Sequence, residues 1–132
     1  MRILVVEDEK RLAQNLQELL RREGYTVDVS GDGVSGLDNA LSGIYDLLVL
    51  DVMLPGLDGF GILRRLPELG APKAIVLSGY FSDRAAAEAL ELGAAYYLTK
   101  PCQMDALLER MRAAAHREEE ARPQTTDLRS AV

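Results

Sequence analysis

The chain has 132 residues, the length of one domain, and a formal net charge of −6 at pH 7. Hydrophobic residues make up 48% and charged residues 27%, which excludes wholesale disorder. The acidic balance argues against a nucleic-acid or anionic-membrane surface, and the single cysteine excludes an internal disulfide framework.

The first predicted strand also helps to predict the localisation of the protein. Ile3–Val6 is a continuous apolar run that acidic residues follow directly, so it predicts a strand buried on both faces and no signal peptide. The longest apolar runs, such as Leu47–Leu50, are far too short to span a bilayer. We therefore expect a cytoplasmic protein with no membrane segment.

The next elements alternate between helix and strand. A first helix is predicted from apolar residues on one face: Leu12, Leu16, Leu19 and Leu20. Gly24 suits its C-terminus, and the alternation within Tyr25–Ser30 predicts an outer strand. A short second helix, ending at Gly43, is predicted from Val34, Leu37 and Leu41. This part of the chain thus completes one strand–helix unit and supplies a second.

The pattern continues from Leu47–Leu50, a second buried apolar run that Asp51 ends. A third helix, stopped by Pro67, is predicted from Phe60, Leu63 and Leu66. Ala74–Leu77 and Tyr96–Leu98 predict the fourth and fifth strands. The small-residue helix between them is predicted from Ala85, Ala89, Leu90 and Leu92, and the last helix from Met104, Leu107, Leu108 and Met111.

Five strand–helix units with short connections predict an α/β fold with a parallel sheet covered by helices on both faces. Right-handed crossovers leave few topologies, and the doubly wound order 2-1-3-4-5 with five helices is the leading candidate. The apolar period stops after about His116, so we assign residues 1–117 to the domain and residues 118–132 to a flexible tail or linker.

Chemically useful side chains follow the predicted strands. In a doubly wound sheet, ligands bind beyond the carboxyl ends of the strands, where this sequence has Glu7, Asp8, Asp51, Ser78 and Lys100. Three carboxylates in one pocket repel each other, and oxygen ligands without His or Cys favour Mg²⁺ or Mn²⁺. A carboxylate can also accept a phosphoryl group, while a metal and a lysine neutralise the transferred oxygens. The set predicts phosphoryl transfer to an aspartate.

Each of these residues also has an ordinary structural explanation. An acid at a strand end is often a turn former or a helix cap, which for Asp8 alone is an equally good interpretation. Lys100 alone would be a solvated charge, and Ser78 alone a turn residue. Asp51 stands before Val52 and apolar neighbours, so it needs a partner. It is their joint occurrence at four neighbouring strand ends that favours a site.

The chain resembles the receiver domain of two-component response regulators, the CheY-like family. The resemblance covers essentially residues 1–117. It is carried by Ile3-Leu4-Val5-Val6-Glu7-Asp8-Glu9, by Asp46-Leu47-Leu48-Val49-Leu50-Asp51-Val52-Met53-Leu54-Pro55-Gly56-Leu57-Asp58-Gly59-Phe60, by Ile75-Val76-Leu77-Ser78-Gly79, and by Gly93-Ala94-Ala95-Tyr96-Tyr97-Leu98-Thr99-Lys100-Pro101.

The resemblance implies a role for each residue of the predicted site. Asp51 matches the phosphoacceptor, and Glu7 and Asp8 match the acidic pair that holds Mg²⁺. The main-chain carbonyl of Met53 matches the third protein ligand of the metal. Lys100 matches the lysine that contacts the phosphoryl group.

Three further positions match the parts of the family that respond to phosphorylation. Ser78 matches the switch hydroxyl that turns towards the phosphoryl group. Tyr97 matches the aromatic switch that moves inward when that hydroxyl is recruited, and Tyr96 next to it competes for the role. Pro101 matches the family's cis proline after the lysine.

These roles imply a phosphorylation-activated switch rather than an enzyme in its own right. Its partner is a sensor histidine kinase or a histidine phosphotransfer protein, which docks near the first helix beside Leu12 and Leu16. Family members form a homodimer through the fourth helix, fifth strand and fifth helix, and this chain has Ala94 and Ala95 where many of them carry the two acids of that interface. No nucleic-acid binding by this chain is expected, because nothing in it resembles a helix-turn-helix.

Three alternatives remain open at this point. The chain can be the receiver part of a larger regulator, with a DNA-binding or enzymatic output domain absent from these residues. A haloacid-dehalogenase-type phosphatase also uses an aspartyl phosphate, but Met53 stands where that class has its second acid. A flavodoxin-like module needs a phosphate loop after the first strand, where Glu7, Asp8 and Glu9 would repel a cofactor phosphate.

Overall fold

The computed structural model describes residues 1–66, 73–79, 82–100 and 104–120, the last stretch with side chains for residues 105–114 only. Five strands alternate with five helices along these ranges. They are β1 Arg2–Val6, α1 Lys10–Arg22, β2 Thr26–Ser30, α2 Gly33–Ala40, β3 Leu47–Leu50, α3 Gly59–Arg65, β4 Lys73–Ser78, α4 Asp83–Glu91, β5 Ala94–Thr99 and α5 Met104–Glu120.

All five strands are parallel, in the order β2-β1-β3-β4-β5, which confirms the predicted fold class. The register pairs Val6 with Leu50 and Leu50 with Val76. Residues that directly follow β1 and β3 therefore leave the sheet at the same edge. That edge is where the predicted site residues come together.

Alternate residues of the central strands pack into two cores, one on each face of the sheet. Leu4 and Leu48 face a cluster completed by α2, α3 and α4. Ile3 and Val49 face a second cluster completed by α1 and α5. The near-continuous apolar sequence of these strands is thus explained by burial on both faces. Among the described residues, no helix has the length and apolar character that crossing a membrane requires.

The three helices on the first face begin with side-chain caps. The side chains of Asp32, Asp58 and Ser82 accept hydrogen bonds from the backbone N–H groups of Ser35, Gly61 and Ala85. Each cap satisfies a donor that the first turn would otherwise leave unpaired. The starts of α2, α3 and α4 are therefore encoded by single polar residues.

Several element boundaries differ from the sequence pattern, among them the start of β5 and the end of α5. β5 begins at Ala94, before the predicted start at Tyr96, because Ala94 pairs with Ala74 of β4 and both Ala94 and Ala95 are buried, despite the low strand propensity of alanine. α5 continues to Glu120, past the predicted domain end at residue 117. The tail boundary remains a prediction, and residues 121–132 lie outside the described ranges.

Leu48 offers a direct test of the central core. Its side chain is fully buried in β3, the middle strand, so Leu48→Ala removes packed methyl groups and leaves a cavity. We expect the free energy of unfolding, measured by urea denaturation, to fall by about 2–5 kcal/mol. Ile44→Ala, at a half-exposed position, is the control and should lower it by no more than about 1 kcal/mol. Equal losses in the two variants would contradict this core assignment.

Candidate functional site

Three carboxylates meet where β1 and β3 leave the sheet. Oxygen atoms of Glu7, Asp8 and Asp51, here called the acidic cluster, lie within 4.8 Å of one another. Glu7 and Asp51 are only 3% and 4% exposed, whereas Asp8 is open to solvent. The predicted convergence of these residues from two separate strand ends is therefore present in the structure.

Lys100 reaches the acidic cluster from β5, across the end of β4. Its Nζ lies 2.7 Å from Oε1 of Glu7 and 3.0 Å from Oδ2 of Asp51. Its backbone N–H donates a 2.8 Å hydrogen bond to the carbonyl of Ser78, which fixes the start of the side chain. One ammonium group thus serves two buried carboxylates.

Two backbone N–H groups complete the surroundings of these carboxylates. The N–H of Glu9 donates to Oε2 of Glu7 at 3.0 Å, and the N–H of Met53 donates to Oδ1 of Asp51 at 2.9 Å. Sequence reasoning missed both donors, because a backbone amide has no residue type that marks it. Met53, predicted to offer its carbonyl as a ligand, thus lies directly beside Asp51 with its side chain exposed.

The predicted switch residues lie in the strands beside the site. Ser78 is fully buried at the end of β4, the neighbour of β3. Tyr97 of β5 is also fully buried, in the same core cluster as the α4 residues Ala85, Ala86 and Ala89. It thus already occupies an inward position, and its role as a switch stays a prediction. Pro101, predicted to be cis, lies outside the described residues.

Burial and charge shift two pKa values in the site. Burial raises the pKa of Glu7, and the ammonium group of Lys100 and the N–H of Glu9 offset only part of this. Burial alone would lower the pKa of Lys100, but its hydrogen bonds to Glu7 and Asp51 outweigh it and the pKa is raised. The site therefore favours the charged form of Lys100, whereas burial disfavours the ionised form of Glu7.

The donor set of the acidic cluster fits a hard divalent cation. Its three side chains offer oxygen atoms alone, close enough to share one ion, and contain neither imidazole nor thiolate. Such a set favours Mg²⁺ or Mn²⁺ over Zn²⁺. A cation there would also relieve the repulsion that burial strengthens between Glu7 and Asp51.

Two residues of the acidic cluster, Glu7 and Asp8, line an open cavity. A cavity of about 230 Å³ opens between α1 and β2, with Glu7 and Asp8 at one end and Ala13, Gln17 and Val29 along its walls. A group approaching along α1 can therefore reach Glu7 and Asp8.

Comparison with known protein families identifies a match over most of the chain. The family model described as the response regulator receiver domain matches residues 3–112. Among curated proteins, the transcriptional regulatory protein DltR of Streptococcus agalactiae is 45% identical over 113 residues, covering 85% of this chain and 50% of that protein. The response regulator ArlR of Staphylococcus epidermidis is 40% identical over 116 residues, 88% of this chain and 53% of ArlR. The chain spans about half the length of these relatives.

Solved structures agree with the observed fold. A receiver domain of a Francisella response regulator superposes with a TM-score of 0.82 at 32% identity, covering 89% of this chain and 98% of that one. A CheY-like receiver domain protein from Methanospirillum hungatei superposes with a TM-score of 0.85 at 28% identity, covering 92% and 98%. The fold is therefore that of receiver domains along nearly their whole length.

The raised pKa of Lys100 predicts how stability depends on alkaline pH. The folded state binds this proton more tightly than the unfolded chain, so the stabilisation is complete below the ordinary lysine pKa of 10.5 and is lost as pH rises through the folded value. We expect the difference in free energy of unfolding between the metal-free protein and Lys100→Met to stay constant from about pH 9 to the ordinary lysine pKa of 10.5 and to shrink at higher pH. Urea denaturation in a chelator measures it.

Lys10→Met is the matched control for this experiment, because Lys10 is exposed on α1. Its difference from the unaltered protein should stay the same across that pH range. A difference for Lys100→Met that is equally constant would show that the charge of Lys100 is not stabilised by Glu7 and Asp51 in the folded state.

Proposed function

The chain belongs to the response regulator receiver domain family, a family of signalling switches, and we propose that its phosphoacceptor is Asp51. The observation that carries this proposal is the position of the Asp51 carboxylate. It lies at the carboxyl end of the central strand, 3.0 Å from the Lys100 ammonium group and within 4.8 Å of the Glu7 and Asp8 oxygens. A carboxylate held in this way is suited to accept a phosphoryl group.

The proposed reaction moves a phosphoryl group from a phosphohistidine of a partner protein. A carboxylate oxygen of Asp51 attacks the phosphorus, the P–N bond breaks, and its electron pair returns to the histidine nitrogen, which is then protonated. The product is an acyl phosphate on Asp51. Hydrolysis of its P–O bond by water restores the carboxylate and releases inorganic phosphate.

Receiver domains bind Mg²⁺ in an acidic pocket, and the donor set of this chain fits that ion. Glu7, Asp8 and Asp51, with the main-chain carbonyl of Met53, would hold Mg²⁺ or Mn²⁺. The bound ion supplies neutralising charge to the phosphoryl oxygens. Holding these four groups in place is the chain's own contribution.

Lys100 is proposed to contact the phosphoryl group after transfer. Its Nζ already lies within hydrogen-bond distance of Asp51, so a small shift of the flexible side chain moves the ammonium onto a phosphoryl oxygen. Positive charge at that point stabilises the charge of the transferring group. Glu7 remains beside the same ammonium group, so it continues to raise the pKa of Lys100.

Three residues are proposed to report phosphorylation to the surface. The hydroxyl of Ser78, at the end of β4, would donate to the phosphoryl group, and Tyr97 in the next strand would adjust its packing under α4. The third is Pro101, the predicted cis proline, which lies outside the described residues. The new charge at Asp51 then shifts the population between two arrangements of α4, β5 and α5.

The proposed partners follow from the family and from access to the site. Receiver domains of response regulators interact with histidine kinases or phosphotransfer proteins. The cavity along α1 supports docking of such a partner at that helix. We further propose that the protein forms a homodimer through α4, β5 and α5. We also propose that it is located in the cytoplasm. The alternative of a larger regulator stays open, because the chain spans about half of its relatives.

Intact mass tests the proposed phosphoacceptor. Incubation with acetyl phosphate and Mg²⁺ should add one phosphoryl group to the protein and none to Asp51→Asn, because the amide is a far poorer nucleophile. Omission of Mg²⁺ should abolish the gain. Asp38→Asn, an exposed aspartate on α2, is the control and should be modified like the unaltered protein. A gain that persists in Asp51→Asn would refute the assignment.

Ser78→Ala separates phosphorylation from the response to it. We expect this variant to accept a phosphoryl group on Asp51, since the nucleophile and the acidic cluster are unchanged. The amide NMR shifts of α4 and β5 should then move much less than in the unaltered protein, because the new hydrogen bond cannot form. Shifts of equal size in both proteins would remove Ser78 from the proposed switch.

A further inference from the structure

Residues 52–58 follow Asp51 and precede α3; this segment, here called the β3–α3 loop, has no regular structure of its own. It carries Met53, whose N–H donates to Asp51 and whose carbonyl belongs to the proposed metal site. The loop is held at its end by the N–H of Gly59, which donates to the carbonyl of Val52 at 3.2 Å. The part of the loop around Pro55 and Leu57 contacts α2.

That contact is made by the first residue of α2, Gly33. Its N–H donates to the carbonyl of Pro55 at 3.3 Å. A Cβ atom added at Gly33 would lie 1.5 Å from the carbonyl oxygen of Leu57 and 2.5 Å from its carbonyl carbon. Both are backbone atoms, so no side-chain rotation can relieve the overlap.

Two other glycines nearby meet different surroundings. A Cβ atom at Gly31, two residues before Gly33, would have no atom within 4 Å. One at Gly36, on the next turn of α2, would lie 2.6 Å from Cγ1 of Val6, a side-chain atom of β1. Of these three positions in and before α2, Gly33 alone packs against the backbone of the β3–α3 loop.

We propose that Gly33 is a positioning residue for the metal site, because it sets how closely the β3–α3 loop lies to Asp51. The loop carries Met53 and lies between α2 on one side and the acidic cluster on the other. Any side chain at residue 33 displaces Leu57 and, with it, the turn that presents Met53. The inference rests on the proposed function, since it takes the acidic cluster to be a Mg²⁺ site.

Mg²⁺ binding to the whole chain tests this role without any phosphoryl transfer. Isothermal titration with Mg²⁺ would compare the unaltered protein with Gly33→Ala, Gly36→Ala and Gly31→Ala, with folding followed by circular dichroism. We expect Gly33→Ala to remain folded and to bind Mg²⁺ at least about tenfold more weakly, as found for residues that orient metal ligands. The amide of Met53 should exchange faster with solvent in the metal-free variant, because its bond to Asp51 loosens.

The two other variants separate positioning from stability. Gly36→Ala should lower the thermal midpoint through its overlap with Val6 and leave the Mg²⁺ Kd within about twofold, and Gly31→Ala should change neither. Equal Mg²⁺ Kd values for Gly33→Ala and the unaltered protein would overturn the inference. So would a Gly33→Ala chain that fails to fold, since the inference requires the loop to yield rather than α2. Failure of the unaltered protein to bind Mg²⁺ would instead contradict the proposed function.

Discussion

The site is built around one ammonium group shared by two buried carboxylates. Glu7 and Asp51 are almost completely removed from water, and each would be costly to keep ionised without a counter-charge. The Nζ of Lys100 supplies that charge to both at hydrogen-bond distance. β4 separates β5 from β3 in the sheet, so only a long side chain from β5 can reach Asp51. The strand order and the choice of lysine therefore depend on each other.

Much of this arrangement can be predicted from the sequence, for physical reasons that differ from residue to residue. The apolar runs give the strands, and the parallel order brings the residues after β1, β3 and β5 to one edge, which predicts the meeting of Glu7, Asp51 and Lys100. The sequence cannot say that Glu7 is buried while the adjacent Asp8 is exposed, since this depends on where α1 starts. The pairing of the Met53 N–H with Asp51 has no residue signal at all.

Glycines show a second limit of sequence reasoning. Gly24 and Gly93 have positive φ angles near 94° and 107° at helix ends, and a turn pattern can anticipate such positions. Gly33 has no such conformation. Glycine is required there because a Cβ atom would overlap the backbone of a loop more than twenty residues away in the sequence. Contacts of this kind depend on how two helices pack on the sheet, and they cannot be found by examining one segment alone.

The alanines on the inner face of α4 have a consequence for local stability. α1 buries Leu16 and Leu20 beneath it, whereas the buried residues of α4 are Ala85, Ala86 and Ala89. Short side chains remove little apolar surface from water, so opening α4 costs less free energy than opening α1. Hydrogen exchange in α4 should therefore proceed through local fluctuations that leave the rest of the sheet intact. A receiver built in this way packs a helix that opens more easily than α1 against Tyr97.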